Sequence, residues 1–183
     1  MEKVRSPKNI FVQGPILPEK IAQSIANHAT KTDIGGHSIF LGQIRADEKP
    51  EGKVIAIEYT CYEEMALEKA FEIREDIFAK YPLTCMHIYH SLGEIKVGEI
   101  CLFVFTSSKH RKAAMQACDE LVERIKAELP IWGKEILDSS ATQWKVNTWF
   151  WEFWLSTFHQ KRKKNKVWFH LDELWSYRDL LFP

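Results

Sequence analysis

The sequence predicts an α+β domain with a mixed, largely antiparallel sheet, three main helices and an atypical C-terminal tail. Three observations predict it. Segments with apolar residues at helical spacing alternate with strand-like runs that come in hairpin-like pairs. One run, 100–106, is almost wholly apolar and reads as a strand covered on both faces. No GxGxxG or Walker-type loop occurs, so a nucleotide-binding, doubly wound sheet has no support.

A first helix is expected over 18–29, where Pro18 suits a first turn and Ile21, Ala22, Ile25 and Ala29 recur at helical spacing. Gly35-Gly36 then marks a turn. Residues 37–45 read as a strand, and Gly42 inside it suggests a bulge or a close backbone approach. A charged loop, 46–53, leads to a half-buried strand over 54–61. A second helix spans 63–80 with Ala66, Ala70, Ile73 and Ile77 as its apolar stripe, and Pro82 stops it. A third strand over 83–90 is followed by turn signals at Leu92-Gly93 and Val97-Gly98. After the apolar run 100–106, Ser107 or Ser108 is expected to cap a third helix running to about Glu128. Ala114, Ala117, Cys118, Leu121, Val122, Ile125 and Leu129 form its apolar face, and Pro130 ends it. Residues 129–135 read as a rigid turn carrying an aromatic and a Lys–Glu pair, and 143–147 as a last strand.

The chain of 183 residues is 45% hydrophobic, enough for one domain with a core and an appendage. Lys+Arg and Asp+Glu both number 25, a balance that argues against a general nucleic-acid binder. No apolar h-region follows the polar residues 1–9, so no secretory signal is expected. No uncharged apolar stretch is long enough to span a membrane. Cys61, Cys85, Cys101 and Cys118 form no CxxC pair, and no Cys/His group has zinc spacing. They read as small core residues of a reduced, cytoplasmic protein, with a nucleophilic role as the alternative.

Three segments carry side chains suited to chemistry. Ser107-Ser108-Lys109-His110-Arg111 stands where a buried strand meets a helix N-terminus, a place that favours anions. The helical wheel aims Arg111 at the apolar stripe, where it needs an anionic partner; that partner is a ligand or an internal carboxylate. Lys126, on the flank of the same helix, is either a snorkelling lysine or a cation that stabilises an oxyanion. Arg45 ends the strand Phe40-Leu41-Gly42-Gln43-Ile44-Arg45, either solvated or displayed as a ligand.

These segments occur in the order found in the large, catalytic subunits of molybdopterin synthase, a family the chain resembles over about residues 10–147. The family's F-x-G-x-[VI]-R is matched by Phe40 to Arg45, and its E-Y-x-x-Y-x-x-M-A by Glu58, Tyr59, Tyr62, Met65 and Ala66. H-R-x-G-x-[LV]-x-x-G-[ED] is matched in part by residues 90–99, and S-x-H-R by Ser108 to Arg111. L-K-x-x-x-P-x-W-K-[KR]-E is matched by Ile125-Lys126 and Pro130 to Glu135. Five pieces in register make the match specific.

The resemblance implies a hammerhead-like α/β domain over 1–148. It implies sulfur transfer from the C-terminal Gly-Gly thiocarboxylate of a small ubiquitin-like subunit to cyclic pyranopterin monophosphate, forming the molybdopterin dithiolene. It implies a heterotetramer around a homodimer of large subunits, and no metal or cofactor. Lys126 and Lys134 are the implied catalytic residues, with Phe40, Gln43, Ile44, Arg45, His110, Arg111, Gly133 and Glu135 binding substrate. Two positions depart from the pattern. Gly133 replaces a lysine, so Lys134 is expected to substitute for it, and Ser91 stands where an arginine is common.

Residues 149–183 lie beyond the resemblance. They hold five of the seven tryptophans and the basic run Lys161, Arg162, Lys163, Lys164 and Lys166. Aromatic and basic residues together favour interfaces, so a partner or membrane surface is one reading and an inert extension another. Two rivals to the enzyme therefore stand: a non-catalytic binding protein that lost the chemistry through Gly133, and a nucleic-acid or membrane adaptor acting through the tail.

Overall fold

In the computed structural model, which describes residues 7–145, the chain runs β1 (Phe11–Gln13), α1 (Pro18–Ala26), β2 (Gly36–Gln43), β3 (Glu48–Lys49), β4 (Gly52–Cys61), α2 (Glu63–Lys80), β5 (Leu83–Lys96), β6 (Ile100–Ser108), α3 (Arg111–Glu128), β7 (Ile131–Leu137) and β8 (Thr142–Trp144). The eight strands form one sheet in the order β2-β6-β5-β4-β7-β8, with β1 parallel to β5 and β3 paired with β4. Every pairing except β1–β5 is antiparallel, so the sheet is mixed as the sequence predicts.

The sheet depends on β5. Its first half pairs with β6 and its last residues, 93–96, pair with β4. The sequence suggests a turn at Leu92-Gly93, but the strand runs through it. Gly93 takes φ +82° where the strand changes partner, and Leu92 beside it is buried. A glycine here bends a strand without ending it. The Val97-Gly98 turn is present, with Gly98 at φ +88°.

α2 and α3 cover one face of the sheet. Their buried residues are the stripes read from the sequence: Ala66, Ala70, Ile73 and Ile77 on α2, and Ala114, Ala117, Cys118, Leu121, Val122 and Ile125 on α3. They meet Val54, Ile57, Ile88, Ile95, Leu102, Val104 and Leu137 in the main core. A smaller core on the other face gathers Ile16, Phe103 and Phe105, with Ile21 of α1 against it. β6 is therefore covered on both sides, as its apolar run predicts; Phe103 and Phe105 are fully buried on one side and Val104 on the other. Each such phenylalanine contributes about 1.5–3 kcal/mol.

Several local expectations change. α1 ends at Ala26, and its inward side is Ile21 and Ser24; Ala22 and Ala29 are exposed and Ile25 is 43% exposed. The reason is that α1 rests on a small aromatic patch, which needs only a narrow contact. Ser107 and Ser108 are the last residues of β6, not helix caps. His110 is the N-cap of α3 and makes no side-chain cap bond, while Ser108 Oγ donates to the Pro82 carbonyl at 2.7 Å. Residues 131–137 form strand β7, paired with β4 and β8, rather than a turn. A bulge in the β4–β7 pairing between Val54 and Ala56 shifts the alternation, so Ala56 and Ile57 are both buried. The last strand, predicted over 143–147, is seen as Thr142–Trp144, and 146–147 lie outside the described residues. The 149–183 extension lies outside the described residues.

Candidate functional site

The sequence-selected residues fall into two groups at opposite ends of α3. Arg111 opens the helix and Lys126 lies in its last turn, a separation of about 22 Å at about 1.5 Å per residue.

The first group surrounds the α3 N-terminus. Gly35, Lys109, His110, Arg111 and Lys112 line an open depression of about 370 Å³. Gly35 and Gly36 make it possible. A Cβ at Gly35 would collide with the Lys109 carbonyl oxygen, and one at Gly36 would lie 3.1 Å from Arg111 Cα. The chain entering β2 thus passes directly under the start of the helix. The wheel aims Arg111 inward, but its side chain is exposed. Three cationic side chains and His110 beside unpaired helix N–H groups suit an anion.

The second group lies where α3 ends over β2 and β6. Lys126 Nζ sits 5.7 Å from the centre of the Phe40 ring, a cation held over an aromatic face. Phe40 comes from β2, two residues before Gly42, and the β2–β6 register shifts between Gly42 and Gln43, so the expected bulge is present. The bulge frees the Gly42 carbonyl to accept from the Cys101 thiol at 3.4 Å. Tyr59 OH in turn donates to Cys101 Sγ at 3.7 Å. The Tyr59 ring meets His90 edge-on at 5.0 Å, and His90 Nδ1 donates to the Ser91 carbonyl at 2.8 Å. Burial pushes the Cys101 thiol up from its ordinary value, while the Tyr59 hydrogen bond, Lys145 and Lys126 pull it back. Burial first, and then Cys101, push the Tyr59 phenol well above the usual tyrosine range. Burial also lowers His90, whose ring is therefore neutral at pH 7.

Gly133 belongs to this corner and Lys134 does not. Gly133 pairs with Tyr59, and a Cβ on it would lie 3.2 Å from Tyr59 Cε1. Lys134 pairs with Glu58 and Trp144 on the other face of the strand. Side chains alternate along a strand, so Lys134 cannot reach where a residue-133 side chain would point. The residue that does share Gly133's side is Lys145, one step beyond the Lys134–Trp144 pair; its N–H donates to the Gly133 carbonyl at 2.8 Å. No sequence signal singles out Lys145, because its partner strand is read as a turn.

The other predicted residues scatter. Ile44 is 3% exposed in the main core, with its N–H on the Glu99 carbonyl and its carbonyl accepting from Gly98, so its side chain is a packing group. Gln43 is exposed beside it. Arg45 is largely exposed and pairs with Asp47 at 3.0 Å. Glu135 is buried, bound to Lys49 at 3.0 Å and to Gln143 at 2.7 Å, which makes it a structural carboxylate. Ser91, the second departure, is fully buried. All four cysteines are free; Cys101 and Cys118 are core residues and Cys61 and Cys85 are half-buried.

A family model described as MoaE protein matches residues 13–128. A molybdopterin synthase catalytic subunit from Pyrococcus abyssi is 34% identical over 126 residues, covering 69% of this chain and 77% of that relative. The insect and mammalian relatives are longer: the chain spans 31% of the Drosophila willistoni subunit and 59% of the human one. Among solved structures, molybdopterin synthase from Staphylococcus aureus superposes with a TM-score of 0.66 at 31% identity, covering 75% of this chain and 96% of that one. A complex of subunits 1 and 2 of the molybdopterin-converting factor from Helicobacter pylori gives 0.63 at 17% identity, covering 75% and 90%, a likeness of fold.

Proposed function

The chain belongs to the MoaE family of molybdopterin synthase catalytic subunits, and from that premise we propose that it transfers sulfur from the C-terminal thiocarboxylate of a small ubiquitin-like subunit to cyclic pyranopterin monophosphate, building the molybdopterin dithiolene. The single observation that carries the reading is the convergence of Lys126 and Lys145 on the corner formed by Phe40, Gly42, Cys101 and Tyr59. The thiocarboxylate sulfur bonds to the pterin side chain as an acyl thioester, and water then cleaves the acyl C–S bond, releasing the partner's carboxylate and leaving the sulfur as a thiolate on a substrate that is already a phosphate; both steps build negative charge. Two cations held beside an apolar wall stabilise that charge better than water does. The sulfur comes from the partner, so no thiol of this chain has to be a nucleophile, and the raised Cys101 thiol fits that role division.

The α3 N-terminal cluster is about 22 Å from Lys126, too far for one small substrate. We therefore assign His110 and Arg111 to the site of a second copy, in a homodimer that brings one copy's helix start to the other's Lys126. The edge strand β2 offers that contact an apolar strip, Ile39 and Leu41, exposed on the α1 side of the sheet, and Met115 is a separate exposed apolar group on α3. Exposed Trp132, next to Gly133 on β7, and exposed Tyr62, at the start of α2 just beyond β4, suit the partner subunit's docking. Four free cysteines accord with a cytoplasmic reaction, and no helix among the described residues is long and apolar enough to cross a membrane.

Reconstitution tests the proposal. The purified chain, a thiocarboxylated small subunit and cyclic pyranopterin monophosphate should give dithiolene product, and Lys126→Ala should abolish it. Partner binding without product from the wild-type chain would favour the binding-protein reading instead, with Gly133 as its cause.

A further inference from the structure

On the α1 face of the sheet, away from Lys126, three ligand-type side chains from two elements meet. Cys85 and His87 stand two residues apart on β5, so both point to the same face. His28 reaches them from the turn after α1. Cys85 Sγ lies 2.9 Å from His28 Nε2 and 3.1 Å from His87 Nε2, and the three ligand atoms all fall within 4.8 Å of one another. The separation of 57 positions between His28 and Cys85 hides the group from any sequence spacing rule.

The orientation of His28 is fixed by its other nitrogen. Nδ1 lies 2.6 Å from the Ser24 carbonyl, which can only accept, so Nδ1 carries the proton and Nε2 of the neutral ring offers its lone pair toward Cys85. A ring N–H given to a backbone carbonyl while the opposite nitrogen faces a ligand position is the outer arrangement that metal-binding histidines use. His28 is 4% exposed and Ser24 8%, so this support is buried and rigid. Cys85 and His87 are half-buried, which leaves an entry path and room for their side chains to turn.

We propose that His28, Cys85 and His87 bind one divalent ion of the zinc class, clamping the turn after α1 to β5. One thiolate and two imidazoles are a three-ligand set that such an ion takes with water in the fourth position. Tetrahedral coordination separates neighbouring ligand atoms by about 3.5 Å, so the group opens by roughly half an ångström as the ion enters. Cys85 gives up its thiol proton on binding, and the proton passes to solvent. The clamp acts where it is most useful, because α1 otherwise holds to the sheet through the small Ile16, Ile21, Phe103 and Phe105 patch.

The test uses the full chain, stripped of metal and titrated with Co²⁺ alone and then with Zn²⁺. The expected result is a thiolate-to-cobalt charge-transfer band and intense tetrahedral visible bands that saturate at one ion per chain and vanish on adding zinc. Cys85→Ser should remove the charge-transfer band, and His87→Ala should weaken binding at least about tenfold. Bands that never form, or that survive Cys85→Ser, overturn the proposal. A second measurement does not depend on the variants folding. In the wild-type chain, Zn²⁺ should protect Cys85 from iodoacetamide, read peptide by peptide in the mass spectrometer, while labelling of Cys61 is unchanged. Equal labelling of Cys85 with and without zinc would reject the site.

Discussion

Gly133 on β7 stands directly opposite Tyr59 on β4, and a Cβ built on it would lie 3.2 Å from Tyr59 Cε1 and 3.1 Å from Ile57 Cγ2. Neither neighbour yields easily. Ile57 is buried in the main core, and the Tyr59 ring is held between Cys101 and His90. Gly133→Ala should therefore destabilise the fold by about 1–3 kcal/mol through overpacking. Urea denaturation measures it, and a variant as stable as the parent would show that the ring moves aside.

Two lysines compete for the role that Gly133 leaves open. Lys145 shares its side of the sheet and Lys134 does not. Lys145→Ala should lower turnover at least tenfold, equivalent to about 1.4 kcal/mol of transition-state stabilisation, while Lys134→Ala should stay near wild type. The reverse pattern would restore Lys134 as the substitute.

If the site is shared between two copies, inactive variants should rescue one another. Arg111→Ala and Lys126→Ala chains mixed as random dimers should regain about a quarter of wild-type activity, since half the dimers are mixed and each holds one intact site. Zero recovery, with mixed dimers shown by mass, would confine the site to one chain. Arg111→Ala itself should change stability by less than about 0.5 kcal/mol, because the side chain is exposed.

Buried His90 sets an acid limit. Burial lowers its pKa below the ordinary 6.5, so the unfolded chain binds a proton that the folded chain does not. Its stability contribution is full above pH 6.5 and is lost as pH falls through the folded value, at about 1.4 kcal/mol per unit of depression. His87 and His37, also lowered by burial, act with the same sign, so His90→Gln should reduce the loss of stability between about pH 5 and 7 without abolishing it; an unchanged slope would place the acid sensitivity elsewhere.

The buried Glu135 carboxylate predicts an asymmetry. Lys49→Ala leaves it with Gln143 alone and should cost about 2 kcal/mol. Glu135→Gln, which removes the charge that needs pairing, should cost less. Equal losses in chemical denaturation would mean that the ion pair contributes no more than its hydrogen bond.

Elements with a periodic pattern and chemical stops are legible from the sequence alone. α2 spans the predicted 63–80, and the buried faces of α2 and α3 are the predicted stripes, because apolar spacing of 3.6 admits one face and Pro82 and Pro130 admit one ending. β6 is covered on both sides because nothing polar interrupts it until Thr106. The motif order around Phe40, His110-Arg111 and Lys126 was legible through the resemblance to a family, which compares residue types in order along the chain. Which of those residues meet depends on packing between distant segments. Arg111 and Lys126 lie on one helix yet at its two ends. Ile44 and Glu135 are drawn inside by strand parity and by Lys49. Lys145 joins the site only because β7 is a strand, which a turn-like Leu-Pro-Ile-Trp-Gly run does not announce. His28, Cys85 and His87 come together by the docking of α1's end on β5. Each of these is a contact between segments distant along the chain, set by how faces pack and registers close, and no local pattern encodes it.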